Sequence, residues 1–333
     1  MFAAADKDSY RLWKLCLDPA AEPTPIATPP ELTPVFPRAA GRSLLGFTDQ
    51  KDRFITYVRD IPAVLEVSRQ RPVASPSDEA EWAAFRHDNG AIAWAGLSNH
   101  EYGIWIQTGS EPPRRLGLSC PHRASELAWC PDNRHLAFTF SSHPHTQIWI
   151  LDTQSGARRP LLAAAANQSR ASWSPDGNYV YFLSDQGGGR RFHRARWPTL
   201  DQTTAITPPA IDGFSSPAGD SFLFLPNDGA FLMEMSPAGP AAASPRRVPN
   251  LPRLRKGHWN VIPNGIAFLD DFQGNDAPVD VLDWNSKARR HLARLPEWRP
   301  SLTPGTAVSP DRRRVLWTLP SRRESAWLLE GSL

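Results

Sequence analysis

Cysteine is scarce in this sequence, and its scarcity argues against two ways of stabilising a fold. The 333 residues contain three cysteines, Cys16, Cys120 and Cys130. Their spacing matches no metal-ligand motif, and an odd number leaves at least one thiol without a disulfide partner. We therefore expect neither a disulfide framework nor a structural zinc site, and we assign no cofactor and no metal.

Long apolar runs and an excess of one charge are also missing. The longest run of small apolar residues, 161–166, is too short to cross a bilayer. Charges at Asp6, Lys7 and Asp8 interrupt the region where a signal peptide needs an apolar core. The formal net charge is +3, with both signs mixed along the chain. We therefore predict no membrane span in this chain and no direct binding of nucleic acid.

Proline is abundant, and one proline-containing turn is repeated. The chain has 34 prolines, which favours many turns over long helices. The stretch "WSPDG" from Trp173 has a proline suited to the first turn corner, an aspartate that can bond the backbone, and a glycine suited to a left-handed corner. Degraded copies recur at intervals of 41 to 49 residues, which is typical of a repeat protein. The residues that anchor the copies are Phe36, Phe85, Trp129, Trp173, Phe214, Trp259 and Val308.

Each repeat is long enough for four short strands. After Trp129 the sequence has a turn, the run "HLAFTF", a polar loop, the run "IWILD", a second turn and "RRPLL". Nearly continuous apolar runs are expected where strands are buried on both faces, as in the inner strands of a propeller blade. We predict an all-β fold, a β-propeller of four-stranded antiparallel blades, with seven blades favoured and six or eight as alternatives.

The period also predicts the boundaries of the repeats. Residues 1–28 are expected to form a partial blade or ring-closing strands, and residues 29–333 the propeller. Segments 10–18 and 23–28 match the third and fourth strands of a blade, so we expect a longer parent protein that carries the missing hairpin upstream. The repeats are expected near residues 29–72, 73–119, 120–163, 164–207, 208–248, 249–295 and 296–333.

Two other sequence features recur at similar distances after the anchor residues, a tryptophan and a pair of arginines. Trp105, Trp149 and Trp327 lie 19 or 20 residues after their anchors, on the predicted third strand. We favour packing between blades for them, with an aromatic binding platform as the alternative. Arginine pairs begin 29 to 32 residues after their anchors, on the predicted outer strand, where charge protects a sheet edge; anion binding is the alternative. The pairs are Arg114–Arg115, Arg158–Arg159, Arg246–Arg247 and Arg289–Arg290.

The repeated hairpin and the third-strand tryptophan resemble the TolB-type, WD40-like β-propeller repeat from about residue 29 to residue 333. The segments "HWNVIPNGIAFLDD" and "PGTAVSPDRRRVLWTLPSRRESAWLLEG" also look like the C-terminal propeller of CadC-like winged-helix transcriptional regulators, although no winged helix is recognisable in this sequence. The resemblance implies a bacterial protein-interaction or ligand-sensing module, as the sensory part of a transcriptional regulator or as an envelope protein. It implies a periplasmic location for a CadC-like or TolB-like protein; otherwise we expect a cytoplasmic one.

The sequence contains little that indicates catalysis. A serine hydrolase of the prolyl oligopeptidase type needs a Gly-x-Ser-x-Gly elbow, and the nearest approach, "GFSSPAGDS" from Gly213, is itself an anchor turn. His143 and His145 are the closest histidine pair, but metal sites need three or four converging ligands. We predict a non-catalytic module that is not an enzyme. The alternative is an enzyme with a metal or acid/base site on the propeller loop face.

The loop face is where we expect a ligand to bind. In a propeller, the loops that join strand two to strand three, and strand four to the next blade, lie on one face around the channel. The residue types do not identify the ligand, which is a protein or a small molecule. By position alone, the candidate binding residues are Asn99, His100, His143, His145, Arg190, Arg191, Asp271, Asp276, Arg322, Arg323 and Glu324.

Overall fold

The regular structure of the described residues consists of β-strands. The structure is a computed structural model. It describes residues 80–330, apart from 99–100, 117–123, 142–144, 164–165, 202, 230, 240–243, 271–276 and 296–305, and it describes strands only before residue 80. Side chains are described between residues 80 and 318. None of the described segments forms a helix with the length and apolar character that a bilayer crossing requires.

The chain divides into two compact units, one of residues 1–53 and 320–333 and the other of residues 54–319. The first unit contains a three-stranded sheet of order β1-β2-β3. Its strands are β1 (Phe2–Asp6), β2 (Ser9–Lys14) and β3 (Thr24–Ile26). Strands β2 and β3 overlap the two segments that the sequence predicted as strands. The next strands along the chain are β4 (Pro34–Ala40), β5 (Leu44–Asp60) and β6 (Arg71–Pro72).

The second unit contains five four-stranded antiparallel blades. Blade one comprises β7 (Glu81–Phe85), β8 (Ala91–Ser98), β9 (Glu101–Thr108) and β10 (Arg114–Arg115). Blade two comprises β11 (Ala124–Trp129), β12 (His135–Ser141), β13 (Thr146–Asp152) and β14 (Arg158–Pro160). Blade three comprises β15 (Gln168–Trp173), β16 (Tyr179–Ser184), β17 (Arg191–Arg196) and β18 (Thr204–Ala205). Blade four comprises β19 (Ala210–Ser215), β20 (Phe222–Pro226), β21 (Met233–Met235) and β22 (Arg246–Arg247). Blade five comprises β23 (Trp259–Ile262), β24 (Gly265–Leu269), β25 (Ala277–Asp283) and β26 (Arg289–Leu295), and it is followed by β27 (Thr306–Val308) and β28 (Arg314–Glu330).

The core of the second unit lies between blades. In β16, five of the six residues of "YVYFLS" are buried, because both faces of this strand are covered. Phe138 of blade two packs in one cluster with Ile106 of blade one, and Phe222 of blade four packs with Phe192 of blade three. Adjacent blades therefore bury their apolar faces against each other, as the continuous apolar runs predict.

The recurring tryptophans and arginine pairs lie on the strands that the sequence predicts for them. Trp105 lies in β9 and Trp149 in β13, the third strands of their blades, and both belong to apolar clusters. The four arginine pairs lie in β10, β14, β22 and β26, the fourth strands. Blade three has threonine and alanine there instead. The side chain of Trp327 lies outside the described residues.

The innermost strands of the second unit form a closed ring. Strands β7, β11, β15, β19, β23 and β27 each contact the next, and β27 contacts β7. The closure is made by Asn89, whose backbone oxygen accepts a hydrogen bond from Arg314 Nη2 at 2.7 Å. The Asn89 side-chain oxygen accepts a second bond from the backbone N–H of Asp311 at 3.3 Å. The first and last repeats of this unit are therefore linked directly.

The prediction of seven blades is wrong, because the described residues contain five four-stranded blades. Two of the seven anchors, Phe36 in β4 and Val308 in β27, lie on strands that belong to none of these five blades. The period counts hairpins, whereas a blade is defined by which strands form hydrogen bonds.

The repeated turn has a structural role. Ser174 Oγ donates to Asp176 Oδ1 at 2.5 Å, and the backbone N–H of Tyr179 donates to Ser174 Oγ at 2.9 Å. Gly177 has a φ of 72°, a left-handed conformation that glycine adopts at little cost. The turn is therefore held by its own side chains. The residues with positive φ at the same corner of the other turns are Asn89, Asn133, Gly219, Asn264 and Arg312.

Candidate binding channel

A central cavity of about 430 Å³ lies inside the ring of innermost strands. Its wall is formed by residues from β7, β11, β15, β19, β23 and β27 and from the turns that follow them. Most of the wall is apolar, with aromatic and alanine side chains from successive repeats. One proline from each of five turns lies at the end of the cavity that the turns form: Pro131, Pro175, Pro217, Pro263 and Pro310.

Three residues of the wall have unusual backbone conformations. Trp82, Glu126 and Arg170 have φ values of 47°, 54° and 55°, in the left-handed region that side chains of this size rarely adopt. Each lies in a bulge where the pairing of the first two strands of its blade shifts register. Bulges redirect side chains and often occur beside functional sites. All three residues line the cavity.

A buried ion pair connects two blades at the channel wall. Arg170 of β15 donates from both Nε and Nη2 to Asp212 Oδ1 of β19, the Nε bond being 2.9 Å long. The Asp212 side chain is fully buried and the Arg170 side chain is 10% exposed. Asp212 also accepts the backbone N–H groups of Gly213 at 3.0 Å and Gly257 at 2.9 Å. The aspartate is therefore held by three blades and fixes the arginine side chain.

Glu126 joins this cluster from β11. Its Oε2 accepts the backbone N–H of Arg170 at 2.8 Å and Thr139 Oγ1 at 2.9 Å. Its Oε1 lies 4.0 Å from Arg170 Nε and 3.6 Å from Lys256 Nζ. Burial disfavours the charge of Arg170, but the Asp212 and Glu126 carboxylates outweigh it and raise the pKa of Arg170 above its usual value. The arginine is therefore charged wherever the protein is folded.

A buried histidine lies next to this cluster in sequence and in space. Burial and the nearby charge of Arg255 lower the pKa of His258 to about 4, against an opposing effect of Asp212. His258 is therefore neutral at pH 7.

In a neighbouring turn, burial raises the pKa of the Cys130 thiol to about 12, so this cysteine is not a reactive thiolate. Across the described part of the chain, no group of three or more histidine, cysteine, aspartate and glutamate residues is placed to hold a metal ion.

Three of the eleven loop residues predicted from the sequence have described side chains. His145 is half-buried before β13, Arg190 is exposed before β17, and Arg191 is exposed at the start of β17. Arg190 Nη2 lies 3.5 Å from Ser169 Oγ. None of these three lines the channel cavity, so the loop-face site stays a prediction. The others lie outside the described side chains: Asn99, His100, His143, Asp271, Asp276, Arg322, Arg323 and Glu324.

The sequence analysis did not identify the charged residues at the channel wall, although three of them recur at one position of the repeat. We call these residues the channel cluster: Glu126, Arg170, Asp212 and Lys256. Glu126, Arg170 and Lys256 each lie three residues before the aromatic anchor of their repeat. Two of these charged residues, Glu126 and Arg170, lie on innermost strands and line the cavity, so a charge repeated at this position points to the channel. Asp212 lies two residues before its anchor, Phe214, and only the fold shows that it faces Arg170.

Comparisons with solved structures find the same fold. TolB from Acinetobacter baumannii matches with a TM-score of 0.50 at 15% identity; the match covers 82% of this chain and 66%, just under two thirds, of that one. A chain of a nidogen/laminin complex matches at 0.53 and 10% identity, covering 80% of this chain and 98% of that one. Oligogalacturonate lyase from Vibrio parahaemolyticus matches at 0.53 and 11% identity, covering 82% and 85%. At these identities the likeness shows the β-propeller fold alone.

Sequence comparison identifies the family. A search of curated protein sequences returned no match. The family model described as the TolB beta propeller domain matches residues 67–235, which include the anchor turns at Phe85, Trp129, Trp173 and Phe214. This range contains 169 of the 333 residues, just over half of the chain. The chain therefore belongs to the TolB beta propeller domain family.

Proposed function

We propose that this chain is a non-catalytic binding module whose ligand, a protein segment or a small molecule, occupies the central channel. The observation that carries the proposal is the cavity of about 430 Å³ with the buried Arg170–Asp212 pair in its wall. Ligand sites are typically concave and mostly apolar, with a few converging polar groups that fix orientation. The channel has each of these properties.

The cellular role follows from the family resemblance rather than from the channel itself. We infer that the module belongs to a bacterial envelope protein or forms the sensory part of a transcriptional regulator, with the propeller in the periplasm. In either role, the propeller would report or transmit the binding of its ligand to another part of the assembly.

Catalysis in the channel is the competing function, because one similar fold is that of an oligogalacturonate lyase. A general base must come within hydrogen-bond reach of the substrate proton that it removes. Asp212 is fully buried behind Arg170 and Gly213, and it does not line the cavity. Glu126 is held by Arg170 and Thr139 through one oxygen. These contacts suit fixed recognition better than proton transfer.

The proposal is tested by narrowing the channel mouth. Pro175 and Pro263 are exposed turn residues that line the cavity, so Pro175→Arg and Pro263→Arg should obstruct entry and cost less than about 1 kcal/mol of stability. Gln186 is exposed on the opposite, loop side of blade three, and Gln186→Arg is the control with the same added charge. A library of uncharged, acidic and basic fragments and capped tripeptides is screened by thermal shift with all four proteins.

We expect fragments that stabilise the natural chain and the Gln186→Arg variant but not the two mouth variants. Binding lost only in Gln186→Arg would move the site to the loop face. An absence of any binder, or turnover of a bound oligogalacturonate, would contradict a non-catalytic channel site.

A further inference from the structure

The hydrogen-bonding groups that remain open in the channel indicate the kind of ligand that it takes. Arg170 uses Nε and one side of Nη2 for Asp212, which occupies one planar edge of the guanidinium. A guanidinium carries five N–H donors and can present a second edge through its two Nη atoms. Among the described residues, Nη1 makes no hydrogen bond. Arg170 lines the cavity, and a ligand oxygen bound to it there would take this second edge.

An acceptor from the neighbouring blade lies close to the same arginine, with Glu126 Oε1 4.0 Å from Arg170 Nε. Glu126 Oε2 is occupied by Arg170 N–H and Thr139 Oγ1. Glu126 Oε1 has only the longer ion-pair contacts with Lys256 at 3.6 Å and Arg170 at 4.0 Å, which exceed the length of a hydrogen bond. Glu126 also lines the cavity. The channel wall therefore carries a strong donor, Arg170, and a strong acceptor, Glu126, on neighbouring blades.

The charges of the cluster already cancel. Arg170 and Lys256 carry two positive charges, and Asp212 and Glu126 carry two negative charges, within one connected set of contacts. An uncompensated charge in a poorly solvated site is costly. A ligand group that is itself charged would disturb this balance, whereas an uncharged group that both accepts and donates would satisfy Arg170 and Glu126 together.

We propose that the channel recognises an uncharged amide group, with its carbonyl oxygen on Arg170 and its N–H on Glu126 Oε1. The amide comes from a small molecule, from a glutamine or asparagine side chain, or from a peptide backbone, which share this chemistry. The inference rests on the proposed channel function and adds the group that the channel selects.

Three probes of nearly equal shape separate the possibilities: benzamide, benzoate and benzamidine, which carry charges of 0, −1 and +1 at pH 7. Their ring suits the apolar wall, and only the polar group differs. Titration calorimetry on the full chain should show benzamide binding about tenfold or more tighter than either charged probe, since each charged probe leaves one channel group unpaired. Equal or tighter binding of benzoate or benzamidine, or no binding of benzamide, would overturn the proposal.

The matched variant is Glu126→Gln. The glutamine carbonyl can keep the bonds from Arg170 N–H and Thr139 Oγ1, while its NH₂ group replaces the open acceptor with a donor. The preference should then reverse towards benzoate, with an unfolding temperature close to that of the natural chain. Glu234→Gln is the control, since Glu234 pairs with Arg246 on outer strands at 3.3 Å; it changes the same charge and should keep the preference for benzamide. An unchanged preference in Glu126→Gln, or an equal change in both variants, would contradict the assignment.

Competition against benzamide identifies the source of the amide. Displacement by acetyl-Ala-Ala-Ala-N-methylamide, which contains only backbone-type secondary amides, would assign a backbone amide. Displacement only by acetyl-Ala-Gln-Ala-N-methylamide would assign a side-chain amide, and displacement by neither would assign a small molecule. Other fragments could bind through the open mouth while the chain binds benzamide no more tightly than benzoate or benzamidine. In that case the amide inference fails and the channel function stands. If the mouth variants bind all probes normally, both fail.

Discussion

Arg170 and Asp212, on the innermost strands of neighbouring blades, form a buried ion pair in the wall of the channel. Arg170 Nε donates to Asp212 Oδ1 at 2.9 Å, and the aspartate is in turn fixed by the backbone N–H of Gly257 from the next blade at 2.9 Å. The pair therefore connects blades three, four and five, and among the described residues it leaves Nη1 of Arg170 without a hydrogen bond. Stability and recognition depend on the same two side chains.

Removal of Asp212 should destabilise the protein strongly. Asp212→Ala leaves the Arg170 charge buried without its partner, and we expect a loss of about 3–5 kcal/mol in the free energy of unfolding, measured by urea denaturation. Glu234→Ala removes the half-buried partner of the exposed Arg246 and should cost less than about 1 kcal/mol, because Arg246 stays solvated without it. Adding Arg170→Met to Asp212→Ala should recover part of the loss. Equal costs for the two single variants would show that the buried pair has no special role.

The effect of a substitution at Gly177, in the turn that defines the repeat, should depend on whether the new residue tolerates a positive φ. Gly177 has a φ of 72°, and asparagine occupies the same corner at Asn133 with a φ of 58°. Gly177→Val should therefore cost about 1–3 kcal/mol, because a β-branched residue is strained there. Gly177→Asn should cost less than about 1 kcal/mol, because asparagine tolerates this region. Thermal unfolding of both variants measures the difference, and similar losses in the two would contradict the left-handed corner.

Closure of the ring should depend on Arg314. This side chain donates to the Asn89 backbone oxygen at 2.7 Å and lies over the Phe85 ring at 5.0 Å. We expect Arg314→Ala to lose about 1–3 kcal/mol through the hydrogen bond and the ring contact. The exposed neighbour Arg313 provides the control, and Arg313→Ala should change stability by less than about 0.5 kcal/mol. Two equally tolerated substitutions would show that the ring closes by other contacts.

Acid should weaken the fold through His258. Its pKa is lowered from 6.5 to about 4 in the folded chain by burial and by Arg255. Between pH 6.5 and 4 the His258 ring is protonated in the unfolded chain but not in the folded chain. The free energy of unfolding is therefore highest above pH 6.5 and decreases as the pH falls towards 4. The full shift corresponds to about 3 kcal/mol. Urea unfolding at several pH values should show a shallower dependence in His258→Gln than in the natural chain, and parallel curves would contradict this role.

Much of the fold could be predicted from the sequence because its signals are local. The turn at Ser174 and Asp176 depends on its own side chains, and the outer position of Arg158 and Arg159 follows from an offset of 29 to 32 residues from the anchor of the repeat. The number of blades could not be predicted in this way. The hairpins anchored at Phe36 and Val308 follow the same period but belong to none of the four-stranded blades, because strand pairing is decided by contacts between residues far apart along the chain.

The channel site was less predictable than the fold. Loop position led to His145 and Arg190, which do not line the cavity. The cluster instead combines Glu126, Arg170 and Asp212 from three blades. The first two lie in bulges, and a bulge is defined by the pairing of two strands, which the repeat period does not reveal. Only the repeated charge three residues before an anchor could have indicated them.

The most direct test of the channel as the binding site is a crystal structure of the chain with benzamide, or with the fragment that gives the largest thermal shift. We predict ligand density inside the ring of innermost strands, in hydrogen-bond contact with Arg170 and Glu126. Density on the loops that carry His145 and Arg190, or along the outer arginine strands, with the channel free of ligand, would contradict the account.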